Sequence, residues 1–430
     1  MCIDVRLQTL FSVLFVCAVV AHALPAAAQA LPFGECRAGY WSSNRNLDDN
    51  DVGGAGTCFV NWRPVLADGV RLGVNVRAGL RKAATATDST AGGARLREGF
   101  LEIETSQFTW RVGRQIIAWG RADRINPTDN LSPRDFTTLT PEDDEQRNGI
   151  NAGLVRYQLR GGNLPAITAV VLQFEENRMP QGALPPNIVR AQRPKPHQAE
   201  FALKVDRSGS GLDWSISYFD GFERLPRYGL DLASPTLPVF RSVYRRARVL
   251  GGDFAFARDA WTMRGEFSVS RYNQACDKFI SCEQSGRKAN RAVLGVDRDF
   301  WSTTNINVQL FAVAHDYRAP APGGTAQQPV GIPVPLALAL NRLNSEFASH
   351  EWGMTFRVSD RLFNDRLKLE LAAVVDFTNQ SSILRPRASF ALSDSVKISA
   401  GADLFHGDKQ TYFGVLKKNN TVYVELGLVF

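Results

Sequence analysis

The sequence predicts an all-β protein, a transmembrane antiparallel β-barrel of about 16 strands (about 14–18), with short periplasmic turns and long extracellular loops. Three observations predict this fold. Apolar and polar residues alternate along many segments, the connections between those segments are short and long in turn, and the chain ends on an aromatic residue, Phe430. Because a barrel divides its apolar residues among many strands, it needs no run of ~18 apolar residues like that of a membrane helix.

The composition excludes several classes of protein. The 430 residues are 44% hydrophobic and 22% charged, with 35 glycines and a formal net charge of +7. This apolar fraction is too high for a disordered chain, and the glycines show no collagen period. At ~150 residues per domain the length suggests about three soluble domains, a rule that large barrels break. A soluble globular protein and a membrane barrel remain, and the strand pattern favours the barrel.

The first thirty residues resemble a secretory signal peptide. Arg6 lies in a weakly charged head, an apolar run extends from Leu10 to Leu24, and Ala28-Gln29-Ala30 has the small-x-small form of a cleavage site. We therefore divide the chain into a signal peptide (1–30), an N-terminal periplasmic or lumen-plug segment (31–69) and an outer-membrane β-barrel (70–430). The predicted location is the outer membrane of a Gram-negative cell.

Four cysteines remain after the signal peptide, at Cys36, Cys58, Cys276 and Cys282. An exported chain with an even number of cysteines is typical of disulfide formation. Close spacing favours Cys36–Cys58 and Cys276–Cys282 among the three possible connectivities, as bridges that staple loops. A zinc site is the competing interpretation, although none of the four lies in a C-x-x-C pair.

Strand-like alternation begins at residue 70. The even positions from Leu72 to Leu80 are apolar, while Arg71, Asn75 and Arg77 lie between them. The predicted strands are 70–81, 95–105, 107–118, 148–160, 165–174, 198–206, 211–220, 248–258, 261–271, 291–299, 302–316, 350–358, 365–377, 383–392, 396–405 and 421–430. Each is close to the ~9–11 residues that cross a bilayer when tilted.

The connections between these strands alternate in length. One set consists mostly of turns of a few residues, whereas the other contains long segments such as 119–147, 221–247 and 317–349. Short periplasmic turns and long external loops are typical of outer-membrane barrels, and a soluble sandwich has no reason to alternate in this way.

The last strand resembles the C-terminal targeting strand of bacterial outer-membrane proteins. Val422, Val424, Leu426 and Leu428 alternate with less apolar positions, and Phe430 is the terminal aromatic residue. The resemblance implies recognition by the barrel assembly machinery. A simpler interpretation is that Phe430 only ends the closing strand.

The inward positions of the strands predict a polar lumen with a basic excess. Those that we assign to the lumen lining are Arg71, Arg77, Arg264, Glu266, Lys368 and Lys397. A modest excess of positive charge inside a low-dielectric wall favours anions. The alternative is that cations and acids only neutralise one another.

Residues 110–135 are dense in Arg, Asp, Asn and Trp, and the loop 119–147 is unusually long. We predict that it folds inward as a constriction or plug. The predicted constriction residues are Arg111, Arg114, Gln115, Trp119, Arg121, Asp123, Arg124, Asn126 and Asp129. The alternative is an external loop held by salt bridges.

The same region resembles a known family. Gly113-Arg114-Gln115, Trp119-Gly120 and Asn126-Pro127-x-Asp129 are similar to the GRQ…WG…NPxD signature of a proteobacterial outer-membrane barrel family that is porin-like or alginate-export-like. The resemblance implies a passive channel or the outer-membrane component of an exporter that works with an inner-membrane pump. It implies no particular substrate.

We predict a porin-like channel for polar, mainly anionic solutes, either a monomer or a trimer. The alternatives are a component of a lipid or polysaccharide export system and, as a weaker candidate, an outer-membrane enzyme. His197, His315, His350 and His406 all fall near predicted external loops, and their spacing indicates neither a catalytic site nor a metal site. No cofactor and no nucleic-acid partner is predicted. The cluster Arg241, Arg245, Arg246 and Arg248 favours outer-membrane lipid and lipopolysaccharide as partners.

Overall fold

The computed structural model describes most of the chain after the predicted signal peptide. The described residues are 31–43, 52–83, 91–135, 143–161, 164–178, 189–192, 195–209, 211–231, 239–273, 288–301, 303–316, 344, 348–408 and 411–430. The predicted signal peptide 1–30 and the predicted bridge Cys276–Cys282 lie outside these residues. No helix in the described ranges is long and apolar enough to cross a membrane.

Eighteen strands form one closed antiparallel barrel. In chain order they are β1 Phe33–Ser43, β2 Val52–Trp62, β3 Val70–Ala83, β4 Ala91–Glu104, β5 Phe108–Gln115, β6 Ile150–Gln158, β7 Ala166–Leu172, β8 Glu200–Arg207, β9 Leu212–Phe222, β10 Arg246–Arg258, β11 Trp261–Tyr272, β12 Lys288–Phe300, β13 Thr304–His315, β14 His350–Leu362, β15 Leu367–Asp376, β16 Ser381–Ala391, β17 Val396–His406 and β18 Thr421–Val429. The all-β barrel is confirmed, with 18 strands in place of about 16.

The two additional strands come from residues 31–69, and the prediction of a periplasmic cap or lumen plug there is wrong. Strand β1 pairs with β2, β2 pairs with β3, and β1 also pairs with β18 to close the barrel. The alternation of apolar and polar residues is weak on these strands, because small residues occupy most of the outward positions, such as Gly34, Cys36 and Ala38 on β1. Residues 70–430 supply the other sixteen strands.

The end of the chain lies at the closing seam. The backbone N–H of Gly34 donates to the carbonyl oxygen of Phe430 at 2.8 Å, and the N–H of Phe430 donates to the carbonyl of Gly34 at 3.0 Å. Phe430 therefore extends the β1–β18 ladder beyond Val429. This position is consistent with a terminal residue that completes the barrel, and recognition by the assembly machinery stays a prediction.

The outside of the barrel carries an apolar belt. On β10 and β11 the outward side chains include Leu250, Phe254, Phe267 and Val269, and each exposes between 37% and 53% of its surface. Residues between them on the same strands, such as Glu266 and Ser268, are buried inside the barrel. This arrangement has apolar residues facing lipid and polar residues facing the interior, as a transmembrane barrel requires.

Cys36 and Cys58 form a disulfide, as predicted. The two residues are direct cross-strand partners on β1 and β2, and Cys36 lies opposite Leu428 of β18 on its other side. The bridge therefore joins two barrel strands beside the closing seam, and the prediction that it staples loops is wrong.

Replacing both cysteines with alanine should destabilise the barrel by about 3 kcal/mol, because a cross-link that closes a segment of this length restricts the unfolded chain by about that amount. Urea unfolding in detergent micelles, followed by tryptophan fluorescence, measures the change. The C36A and C58A single variants are the controls and should lose as much as the double variant. Additive losses from the single variants would show that packing, and not the cross-link, stabilises the seam.

Long connections lie at one end of the barrel and short turns at the other, as predicted for external and periplasmic ends. At the external end three short strands, Val189–Gln192, Arg227–Asp231 and Val239–Val243, form a separate small sheet. The side chain of Asn344 bonds to both backbone polar groups of Tyr228, at 2.8 and 3.0 Å. These contacts tie together the connections that follow β7, β9 and β13.

Candidate functional site: a loop across the lumen

The connection between β5 and β6 enters the barrel. We call residues 116–135 the lumen loop. Its contacts reach Glu266 on β11, Arg357 on β14 and Glu370 on β15. Because these strands lie far around the barrel from β5, the loop crosses the interior and narrows the passage.

An apolar cluster holds the loop against one side of the wall. Ile117, Trp119 and Leu131 of the loop are buried against inward side chains of β6 to β10. The wall residues of this cluster are Ile150, Ala152, Val170, Leu172, Ala202, Phe219, Ala247 and Val249. Removing these surfaces from water favours the inserted position of the loop over an external one.

The carboxylate of Glu266 fixes the middle of the loop. It accepts hydrogen bonds from the backbone N–H of Thr128 at 2.6 Å and from its hydroxyl at 2.7 Å. The N–H groups of Arg121 and Ala122 donate to its other oxygen, both at 3.2 Å. Glu266 is only 2% exposed, so it serves as an anchor for the loop and not as an open part of the lumen lining.

Gly120 allows this close approach. It has a φ of +93°, which favours glycine, and a Cβ built there would lie 2.6 Å from a carboxylate oxygen of Glu266. The Trp119-Gly120 pair of the sequence signature therefore has a structural role. Trp119 packs in the apolar cluster, and Gly120 brings the backbone to the carboxylate.

The tip of the loop, Asp123 and Arg124, carries one negative and one positive charge. Asp123 lies 3.2 Å from Nη2 of Arg357 and 3.9 Å from Nη1 of Arg264, and Arg264 also lies 3.3 Å from Asp297. Arg124, with φ of +65°, points toward Glu370 at 4.0 Å. These contacts place a carboxylate and a guanidinium in the middle of the passage.

Arg121 connects the loop to β10. Its guanidinium pairs with Asp253, which also accepts from the hydroxyl of Ser215. On the neighbouring wall the ammonium of Lys204 lies 5.8 Å from the ring centre of Trp119. Cationic groups therefore flank the loop on the β8–β10 side.

The returning part of the loop is held by its own ion pairs. Asp129 accepts from Arg134 at 3.0 Å and from Arg147 at 2.7 Å, and the side-chain amide of Asn126 donates to the carbonyl of Ala122 at 2.7 Å. Asp129 is thus a structural residue, since its carboxylate is nearly enclosed. The salt bridges that suggested an external loop exist, but they stabilise an inserted one.

A buried ion pair joins the lumen loop to the external connections. Arg224 lies 2.8 Å from Glu200 and donates to the carbonyl of Asn130 at 3.3 Å. The second carboxylate oxygen of Glu200 accepts from the N–H of Phe222 at 2.6 Å. Burial lowers the pKa of Arg224, and the charge of Glu200 opposes that shift.

The remaining predicted constriction residues lie at the base of the loop. Arg111 pairs with Glu102 through Nε at 3.0 Å, and its guanidinium lies 4.4 Å from the ring centre of Phe100. Arg114 is held by both carboxylate oxygens of Glu175 at 2.8 Å, in the connection after β7. Gln115 is fully buried and donates to the carbonyl of Ala152 at 2.9 Å. The structure therefore separates Arg114 and Gln115 from the group around the loop tip.

The other predicted lumen residues are largely paired with acids. Arg71 lies near Glu102 and Glu104, Lys368 near Glu370, and Lys397 near Glu35 at 2.8 Å.

The guanidinium groups of Arg37, Arg77 and Arg97 surround the ring of Phe59 at 5.2 to 5.6 Å. Arg37 also pairs with Glu35, Glu145 and Glu425, so this cluster of arginines is partly balanced by acids as well.

Two cavities lie beside the lumen loop. One of about 490 Å³ is lined by Arg121, Gly211, Asp213, Ala255, Ala257, Thr262 and Arg264. The other, of about 390 Å³, is lined by Arg63, Glu98, Phe100, Arg111, Ile116, Ala118 and Arg147. Each has more cationic than acidic side chains. Both cavities are lined by residues of the lumen loop together with residues of the periplasmic turns. They therefore lie on the periplasmic side of the loop.

Several residues of the site were not predicted. Asp253 and Arg357 lie at inward positions of β10 and β14, where the alternation could have identified them. The roles of Thr128 and Ser132, whose hydroxyls bond to Glu266 and Ile117, depend on the path of the loop. Among the residues that the structure describes, no group of three His, Cys, Asp or Glu side chains is placed to hold a metal ion.

This chain resembles known proteins in its structure and not in its sequence. No protein-family model matches the sequence, and no curated protein matches it. OccK5 (OpdH) of Pseudomonas aeruginosa is similar with a TM-score of 0.51 and 11% identity over 93% of this chain and 96% of its own. OccAB1 and OccAB2 of Acinetobacter baumannii both have a TM-score of 0.54, at 10% and 9% identity, over 93% of this chain and 96% and 97% of theirs. The chain has the fold of an outer-membrane channel. At this identity the likeness concerns the fold and does not extend to the solute.

Proposed function

We propose that the protein is a porin-like channel of the outer membrane that lets small polar solutes cross by diffusion and favours anions. The observation that carries the proposal is a closed barrel whose interior is polar and is narrowed, in its middle, by an anchored loop. A barrel of this size leaves an aqueous passage unless it is plugged. Two cavities lie beside the loop, and we take the loop to be a constriction and not a complete plug.

The proposed preference for anions rests on the cations that line these cavities. The smaller cavity has Arg63, Arg111 and Arg147 against the single acid Glu98, and the larger has Arg121 and Arg264 against Asp213. A low-dielectric wall focuses such an excess and raises the local concentration of anions. Because each of these five cations also lies within 4.0 Å of a carboxylate, we expect a moderate preference for anions and not complete exclusion of cations.

The reversal potential in a planar bilayer tests the preference. Under a tenfold KCl gradient the wild-type channel should give a reversal potential of the sign that anion permeation produces. In the R111Q/R264Q variant the potential should move toward zero, since one cation is removed beside each cavity.

The matched control is R248Q/R258Q, which removes two exposed cations from outward positions of β10. It should leave the reversal potential unchanged. A wild-type reversal potential near zero or of the cation sign would contradict the anion preference while leaving the channel proposal intact. A barrel that conducts nothing would instead favour a closed component of an export system.

A further inference from the structure

A row of cationic side chains lies at the extracellular end of the barrel, on three neighbouring strands. Strand β10 carries Arg248, β11 carries Arg271 and β12 carries Lys288. Arg248 is the direct cross-strand partner of Arg271, and Arg271 is the direct partner of Lys288. Three like charges therefore start from backbone positions only ~4.8 Å apart from strand to strand. We call these three residues the outer basic row.

The outer basic row faces away from the lumen. Residues two apart on a strand share a face, and two residues below Arg248 and Arg271 lie Leu250 and Val269 of the lipid-facing belt. The side chain of Arg248 is 61% exposed, and Arg271 and Lys288 are exposed as well. This row therefore takes no part in lining the channel.

Among the described residues the row keeps an excess of positive charge, although Arg248 has one acidic neighbour. Asp220, the cross-strand partner of Arg248 on β9, pairs closely with Arg246 and lies 3.4 Å from Arg248. At the other end Asp316 accepts from the backbone N–H of Lys288 at 3.0 Å. Within the described ranges no carboxylate pairs with Arg271 or with the ammonium of Lys288. Since like charges directly opposite one another destabilise a sheet, an anion bound here would remove a cost that the folded protein otherwise carries.

An apolar row lies directly below the charges. Tyr218 pairs with Leu250, and Leu250 pairs with Val269, in the register just beneath Asp220, Arg248 and Arg271. All three side chains are exposed on the lipid-facing surface. A ligand that fits both rows has negative groups at the level of the membrane surface and hydrocarbon chains beneath them.

We propose that the outer basic row is a binding site for lipopolysaccharide, with the phosphates of its lipid A headgroup on Arg248, Arg271 and Lys288 and its acyl chains on the apolar row. Lipopolysaccharide is the anionic lipid of the outer leaflet, and the row lies at the end of the barrel where the long external loops emerge. Guanidinium groups bind phosphate oxygens in bidentate pairs, and each cation near an anionic membrane surface adds to lipid affinity.

Native mass spectrometry of the full mature protein, folded in detergent with EDTA, tests the site. The protein is titrated with bisphosphorylated lipid A, with dephosphorylated lipid A and with phosphatidylglycerol. We expect the wild type to bind bisphosphorylated lipid A at least about tenfold more tightly than either of the others. Millimolar inorganic phosphate should not displace it, because the acyl chains contribute to binding.

The variant R248Q/R271Q/K288Q should lose affinity for bisphosphorylated lipid A by at least about tenfold. The control R258Q/R361Q/R366Q removes the same charge from exposed positions at the other end of the barrel and should bind like the wild type. Heat-modifiable gel mobility shows that each variant is folded, and R271Q alone serves if the triple variant does not fold. Equal affinity of wild type and variant, or equal affinity for dephosphorylated lipid A or phosphatidylglycerol, would overturn the proposal.

Discussion

Replacing residues 117–148 with a Gly-Ser-Gly-Ser linker should raise the single-channel conductance roughly two- to fivefold, because the wall of an 18-stranded barrel leaves a wide aqueous lumen once nothing crosses it. The barrel itself should survive the deletion. Gln115 and Ile150 are direct partners on β5 and β6, so a short linker can join the two strands. Planar-bilayer recordings of single insertion events measure the change.

The control for this deletion inserts the same linker between Asp259 and Ala260, in the exposed turn that joins β10 and β11. Its conductance should stay within the spread of the wild-type values. If the lumen-loop deletion conducts no more than the wild type although it is folded, the loop does not narrow the passage, and the constriction must lie elsewhere in the barrel.

Glu266→Leu should release the lumen loop from the wall without removing any loop residue. The substitution takes away the acceptor of four hydrogen bonds, from Arg121, Ala122 and the two donors of Thr128. Leaving such buried donors unsatisfied costs about 3 kcal/mol in total, which corresponds to about a hundredfold increase in local opening. Hydrogen exchange of the amides in residues 120–128 should accelerate by that factor, and the open-channel current should become noisier.

Glu370→Gln is the matched control for Glu266→Leu. Glu370 also faces the lumen loop, but it contacts the loop only through Arg124 at 4.0 Å, so exchange in residues 120–128 should change little. Equal acceleration in both variants would show that the apolar cluster around Trp119 and Leu131, and not the carboxylate of Glu266, determines the position of the loop.

The sequence predicts the barrel well where lipid-facing positions are occupied by large apolar residues. Most of the sixteen strands after residue 70 follow that pattern, because the bilayer requires apolar side chains at alternate positions. It fails on β1 and β2, where outward residues such as Gly34, Cys36 and Ala38 carry little hydrocarbon. The disulfide between Cys36 and Cys58 joins these two strands. The spacing of the cysteines therefore predicted the bridge correctly, although the strands that carry it were not predicted.

The candidate site is predictable in part. Loop length and the density of Arg, Asp and Trp indicate a folded segment, and the loop residues Trp119, Arg121, Asp123 and Arg124 do lie inside the barrel. The wall residues that these loop residues contact could not be predicted, because they depend on which strands the loop reaches. Nothing local to Glu266 distinguishes an anchor from an ordinary lumen residue, and its four donors lie about 140 positions away in sequence.

The conductance of the wild-type protein tests the central claim most directly. The mature chain, folded in detergent and added to a planar bilayer, should produce discrete current steps of uniform size, as expected of a barrel with a constricted but open lumen. Absence of current above the protein-free background, for the wild type and for the variant lacking residues 117–148 alike, would contradict the claim that this barrel is a diffusion channel.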